Sequence, residues 1–286
     1  MARMVELGRV SRSSFYRFRS EAQPKADTDM ELRDAIQRIA LEWPSYGRPR
    51  ITAELRRGGW VVNPKRVYRL MREDNLLGVR KRKFVLTTDS DHGRKVYRNL
   101  TRGLVLTGVN QLWIADITYI RLQEEFVFLA VILDAYSRRV IGWALKRTLE
   151  DELTLAALRM ALSCRRVTPG LIHHSDRGSQ YASTAYTGLL TAHGIAISMS
   201  RPGNPWDNAA CESFMKTLKY EEVYRNDYRN MIEADASLGV FLEKVYNGKR
   251  LHSALGYLPP AEFEASLAVP TLTENQRKAA TRQRSL

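Results

Sequence analysis

Cysteine is nearly missing from this chain, whose 286 residues hold only two, Cys164 and Cys211. They stand far apart and form no C-x-x-C pair. That excludes a disulfide framework and a thiolate zinc site, and it fits a reducing cytoplasm. No run of eighteen apolar residues occurs, so the sequence offers no membrane-spanning helix. The opening MARMVELGRVSRSSFYRFR lacks the apolar stretch of a secretory signal. Acidic residues are also scarce in the first third. Residues 1–105 hold 24 Lys and Arg against 12 Asp and Glu, whereas residues 106–240 hold 14 against 15 and residues 241–286 hold 7 against 4. The net charge of +14 therefore sits mainly at one end, as in a polyanion-binding module joined to a near-neutral body. A solvated, solubilising surface is the plainer reading of the same excess.

The first third reads as helical. In GRVSRSSFYRFR, Ser11 is a candidate N-cap before a short basic helix from which Arg12, Arg17 and Arg19 would reach a major groove. A frayed basic terminus accounts for that fragment equally well. EAQPKADTD follows as a linker. From Met30, Leu32, Ile36, Ile39 and Ala40 recur at helix spacing until Pro44. YGRPRITAELRRGGW makes a turn and a second helix, with Arg48 and Arg50 at its start. NPKRVYRLMREDNLLG has Asn63 as N-cap, Pro64 at the first helical position and Gly78 past the end. Val67, Leu70 and Met71 form its apolar stripe, and Lys65, Arg66, Arg69 and Arg72 lie largely off it. Three short helices ending on a basic one suggest a helix-turn-helix-type unit; an unspecialised basic bundle is the alternative. The tract Arg80, Lys81, Arg82, Lys83 follows, suited to tracking phosphates.

At Val105 the texture changes. NQLWIADITYIRL alternates, with Ile114, Asp116, Thr118 and Ile120 on one face and Trp113, Ala115, Ile117 and Tyr119 on the other. EFVFLAVILDAYSRRVIGWAL predicts two more strands around a turn at Tyr136–Arg139. A helix, the short strand GLIHHSD, a helix ending at Gly194, the strand IAISMS and a long helix through NPWDNAACESFMKTLKYEEVY follow, with Asp207 its candidate cap. That order predicts an α/β fold, a ribonuclease-H-like mixed sheet preceded by a small all-helical unit. The expected organisation is 1–23 for the end of a helix-turn-helix, 28–83 for a helical DNA-binding domain and 84–104 for a linker. The catalytic core is expected over 105–225, a helical extension over 226–265 and a disordered tail over 266–286.

Three acids stand out. Asp116 interrupts an apolar strand, Asp176 follows the strand LIHHS, and Glu212 lies in the long helix, with 35 residues between the last two. A buried unpaired carboxylate is costly. Each acid alone is most simply an ion pair or a helix cap. Three brought together repel unless divalent cations neutralise them, and hard oxygen donors suit Mg²⁺ or Mn²⁺. Two such ions serve phosphodiester displacement.

WIADITYI, LDAYSRRVIGW, HHSDRGSQY, SMSRPGNPWDNAACESFMKTLK and YNGKRLHSALGYLPPAEF together resemble the transposases of bacterial insertion sequences of the IS-three kind, within the retroviral-integrase superfamily. The resemblance covers roughly residues 5–265. It implies a metal-binding catalytic triad of Asp116, Asp176 and Glu212, two Mg²⁺ ions with Mn²⁺ as substitute, and metal-dependent cleavage and strand transfer at terminal inverted repeats. It further implies double-stranded DNA partners, a homodimer or larger assembly on DNA, and a cytoplasmic, nucleoid-associated bacterial protein. The family pattern has a fuller N-terminal helix-turn-helix, so a second-frame product with a separate upstream segment is expected.

Around the triad, His173 and His174 are expected to support the site. Arg177 is a candidate phosphate ligand or a surface ion pair. RPGNPWDNA has too many breakers for a helix, so Arg201–Pro205 is expected to be a mobile loop leading into the Glu212 helix, and Asn204 and Asn208 would contact DNA or position that helix. Lys216 and Lys219 follow Glu212 on roughly its face, towards DNA phosphates or towards solvent. Asn247, Arg250 and His252 contact DNA or serve packing. Two rivals remain: a plain ribonuclease-H-type nuclease, and a DNA-binding regulator with an inactive catalytic domain.

Overall fold

The computed structural model describes residues 26–77, 95–201 and 209–268. The chain divides into two units, residues 1–81 and 82–286. In the first unit, α1 (Ala26–Glu42), α2 (Arg48–Arg57) and α3 (Pro64–Glu73) enclose Leu32, Ile36, Ile51, Leu55, Val67, Leu70 and Met71, all buried. Helix α1 starts earlier than Met30, inside the segment read as linker. Helix α3 begins as expected, with the Asn63 side chain accepting from the Lys65 N–H at 2.8 Å and Pro64 in the first turn. It ends sooner than expected. Asp74 caps it, and Asn75, at φ 53°, makes the left-handed turn just beyond. Gly78 itself lies outside the described residues.

The second unit is built on β1 (Leu112–Arg121), β2 (Phe126–Asp134), β3 (Val140–Lys146), β4 (Ile172–Ser175) and β5 (Ala196–Met199). The sheet order is β3-β2-β1-β4-β5. β2 runs antiparallel to β1 and to β3, and β4 pairs in parallel with β1 and β5. Helices α4 (Asp151–Cys164) and α5 (Thr184–Ala192) cover one face. The other face carries α6 (Ala209–Glu221) and α7 (Met231–Gly239), the latter continuing as a π-helical stretch, Val240–Tyr246. This is the expected mixed sheet. The alternation in β1 sorts the cores: Leu112, Ile114 and Ile120 pack under α6, and Trp113 and Ala115 under α4 and α5. Gly142 in β3 is required by this packing, because a Cβ there would meet the Ala157 carbonyl at 2.2 Å.

Two boundaries differ from expectation. Within the segment read as linker, Tyr97 packs on the α4/α5 core and the Leu100 N–H donates to Ser198 Oγ at 2.8 Å. The last helix, α8 (Pro260–Ala268), runs into the segment expected to be tail. Its Glu264 accepts from both Arg139 and Arg165, tying it to the sheet.

The paired histidines are structural. His173 is fully buried, 2.9 Å from the Tyr186 hydroxyl, and His174 is bound at both ring nitrogens by the hydroxyls of Ser198 and Ser200. They tie β4 to α5 and β5. Burial, reinforced by the neighbouring His174, lowers the pKa of His173 from 6.5 to about 3. Between those values the unfolded chain binds a proton that the folded chain refuses. Stability from this group is therefore complete above pH 6.5 and falls on acidification, by about 1.4 kcal/mol per pH unit. His173→Gln is expected to show a shallower loss of melting temperature between pH 6.5 and 4 than the native chain, whatever its starting stability. Equal slopes in thermal melts would refute the assignment.

Candidate active site

The register between β1 and β4 builds the site. Leu112, Trp113 and Ile114 pair with Ile172, His173 and His174. Both strands run the same way, so two more residues bring the chain to Asp116 on one and Asp176 on the other. The two aspartates thus stand level at the end of the parallel pair, although 60 residues separate them. β4 stops at Ser175, which leaves the β1 edge beside Asp116 free of a strand partner on that side.

Each aspartate is fixed by a local backbone bond. Asp116 Oδ1 accepts from the Ile117 N–H at 2.9 Å, and Asp176 Oδ1 accepts from the Gly178 N–H at 2.9 Å. The second turn is so tight that a Cβ at Gly178 would stand 3.0 Å from that oxygen, which explains the glycine in SDRG. Helix α6 lays Cys211, Phe214, Met215 and Leu218 on the sheet and exposes Glu212 in its first turn. Burial raises the pKa of Asp116 to about 7, helped by the charges of Asp176 and, more weakly, Glu212; the Ile117 N–H and Lys219 act the other way. The three acids therefore share one electrostatic neighbourhood. Among the described residues, no three His, Cys, Asp or Glu side chains stand close enough to hold an ion as drawn.

The remaining expected residues divide. Arg177 Nε donates to the Ser200 carbonyl at 2.8 Å, anchoring it to the end of β5. Lys216 is exposed, one turn beyond Glu212. Lys219 is not a solvent-facing lysine. It is 5% exposed, with Nζ 4.6 Å from the centre of the Tyr119 ring, and burial lowers its pKa while Asp116 opposes the shift. Packing accounts for Asn247 and Arg250. The buried Asn247 amide both donates to and accepts from the Val140 backbone at 2.9 Å, holding the start of β3. Arg250 makes a two-pronged pair with Glu221 at 2.7 and 2.8 Å, and both side chains are almost wholly buried. His252 stands edge-on to Tyr246 with ring centres 4.9 Å apart.

In the first unit, Arg66 and Arg69 both bind Asp29, and Arg69 also binds Glu73. The basic side of α3 is thus partly neutralised by α1. Arg48 lies 5.8 Å from the Tyr68 ring centre and Arg50 5.4 Å from that of Tyr46, while Lys65 is exposed. Arg12, Arg17, Arg80, Lys81, Arg82, Lys83, Asn204 and Asn208 lie outside the described residues, as does the Asp207 cap.

Known proteins resemble this chain in sequence over both units. The integrase core domain family matches residues 107–205, with a second integrase core profile at 193–260, and an HTH-like domain matches residues 27–84. The uncharacterized 31 kDa protein of insertion element IS600 from Shigella sonnei is 39% identical over 263 residues, covering 91% of this chain and 97% of that protein. Transposase InsF for insertion sequence IS3A of Escherichia coli (strain K12) is 35% identical over 267 residues, covering 91% of this chain and 92% of that protein. The crystal structure of the BIV integrase catalytic core domain covers 55% of this chain and 95% of its own length, at 21% identity and a TM-score of 0.43.

The Arg250–Glu221 pair gives a test of the packing assignment. Breaking a buried pair leaves an uncompensated charge and costs about 3–5 kcal/mol. Arg250→Ala is expected to lower the melting temperature by roughly 6–20 °C, taking 2–4 °C per kcal/mol for a unit of this size. A melt within 2 °C of the native chain would return Arg250 to the DNA-contact reading.

Proposed function

The chain belongs to the IS3 family of insertion-sequence transposases, and from that premise we propose that Asp116, Asp176 and Glu212 are the acids with which it cuts and joins DNA. The protein is a DNA transposase with an integrase core and an HTH-like domain. The observation that carries the assignment is the shared level of Asp116, in the middle of β1, and Asp176, just past the end of β4, with Glu212 presented by the helix packed over β1.

The donor set fits a hard divalent cation. It is all oxygen, and the raised pKa of Asp116 marks a place where a further negative charge is resisted until positive charge arrives. The reading requires the exposed Glu212 side chain to turn inward from the first turn of α6. Two Mg²⁺ ions, or Mn²⁺ in their place, would polarise the scissile phosphodiester and lower the pKa of a bound water. Asp116, on the rigid centre of the sheet, and Asp176, in its glycine-dependent turn, hold their oxygens in place before any ligand arrives. Exposed Lys216 would meet a DNA phosphate beside Glu212. Buried Lys219 offsets part of the charge on Asp116.

The helical unit binds DNA, and its exposed cations, Lys65 and Arg48 among them, are proposed to seat the terminal inverted repeats. Bringing two ends together calls for a dimer or larger assembly, and an upstream-frame segment is proposed to complete the end reader. Cleavage would free a 3′ hydroxyl at the element end, and that hydroxyl would then attack a second phosphodiester.

The test uses labelled duplexes carrying an element end, with Mg²⁺ or Mn²⁺, for the native chain and Asp176→Asn. Joined strands longer than the substrate, dependent on cation and reduced by at least 10³-fold in the variant, are expected on a denaturing gel. Shortened strands alone would favour the plain nuclease. Binding without cleavage by a folded preparation would favour the regulator.

A further inference from the structure

Tyr181 closes the turn that begins at Asp176. Its N–H donates to the Gly178 carbonyl at 3.0 Å, and Gly178 is held by the Asp176 carboxylate. The ring is 2% exposed and packs against Tyr186, centres 5.4 Å apart, and His173, 6.4 Å apart. Two neighbouring buried polar rings have partners: Tyr186 meets His173, and His174 meets two serines. The Tyr181 hydroxyl has no hydrogen-bond partner among the described residues. A buried hydroxyl left unpaired is costly, whereas a phenylalanine would fill the same space without the penalty. Burial first, then the charges of Tyr186, Asp176 and Asp116, disfavour its ionised form, so the hydroxyl keeps its proton within electrostatic reach of both carboxylates.

We propose that Tyr181 is a positioning residue of the carboxylate site, whose buried hydroxyl donates a hydrogen bond to an Asp116 or Asp176 oxygen once a divalent cation draws the acids together. This rests on the carboxylate reading above. In the cation-free protein the hydroxyl waits unpaired. In the loaded protein it fixes the orientation of a ligand from behind, as outer-shell donors do at metal sites generally. The proposal concerns a neutral hydrogen bond; Tyr181 neither touches DNA nor exchanges a proton with it.

The experiment compares the full native chain with Tyr181→Phe, which removes one oxygen. Melting temperatures are measured in EDTA and across a Mn²⁺ titration without DNA, and the Mn²⁺ half-saturation of strand joining is measured separately. In EDTA the variant is expected to melt at or above the native temperature. With Mn²⁺ its gain in melting temperature is expected to be smaller, and half-saturation to rise about 10-fold or more. This opposite response to cation is something a purely packing role would not produce. Equal Mn²⁺-induced gains and equal half-saturation would overturn the proposal, and so would a variant already destabilised in EDTA, which would show the hydroxyl paired without metal. A native chain that neither gains stability from Mn²⁺ nor joins strands would fail differently, removing the carboxylate reading and this proposal with it.

Discussion

Three paired residues on each of two parallel strands are the constraint on which the site depends. Parallel pairing of β1 with β4 needs a long crossover, and here that crossover includes β2, β3 and α4. Once Ile114 lies beside His174, the level of Asp116 and Asp176 follows from the rise of the two strands. A slip of one residue would turn every β4 side chain to the opposite face. The buried histidines resist such a slip, because His173 and His174 find their hydroxyl partners in this register. Two side chains expected to support the site therefore act as pins, and the acid two residues beyond is held at the level of Asp116.

Bringing like charges together works against folding, and the surroundings show how the cost is contained. Backbone N–H groups hold one oxygen of each aspartate. Lys219, drawn under Tyr119, supplies a buried positive charge on the Asp116 side. Behind α6, the Arg250–Glu221 pair and the Asn247 clamp on Val140 tie the C-terminal segment to the helix and sheet that carry Asp116 and Glu212. Buried polar groups of this kind favour one arrangement over others because each has a single satisfying geometry.

The helical unit follows a different economy. Its arginines are abundant, yet several answer to Asp29, Glu73 and Asp74 across the bundle. Such exposed pairs contribute little stability. They do reduce the charge that α3 presents, so a count of basic residues overstates the surface offered to DNA.

What the sequence by itself determined is the set of elements and the faces within them. Alternation in WIADITYI reflects the pleat, Asn63 and Pro64 start a helix by satisfying or lacking a backbone donor, and the acids at 116, 176 and 212 can be picked out because carboxylates interrupt apolar patterns. Those signals are local. What only the tertiary structure decided is which polar residues turn inward. Lys219 reads as a surface or DNA-facing group in sequence, and Asn247 and Arg250 stay divided between DNA contact and packing, since nothing nearby reveals Tyr119, Val140 or Glu221 as partners. Tyr181 reads as an ordinary aromatic in HHSDRGSQY until the fold buries its ring and leaves its hydroxyl without a hydrogen-bond partner among the described residues. The physical reason is the same in each case. Desolvation and partnership depend on long-range contacts, and a residue's own neighbours in the chain do not encode them.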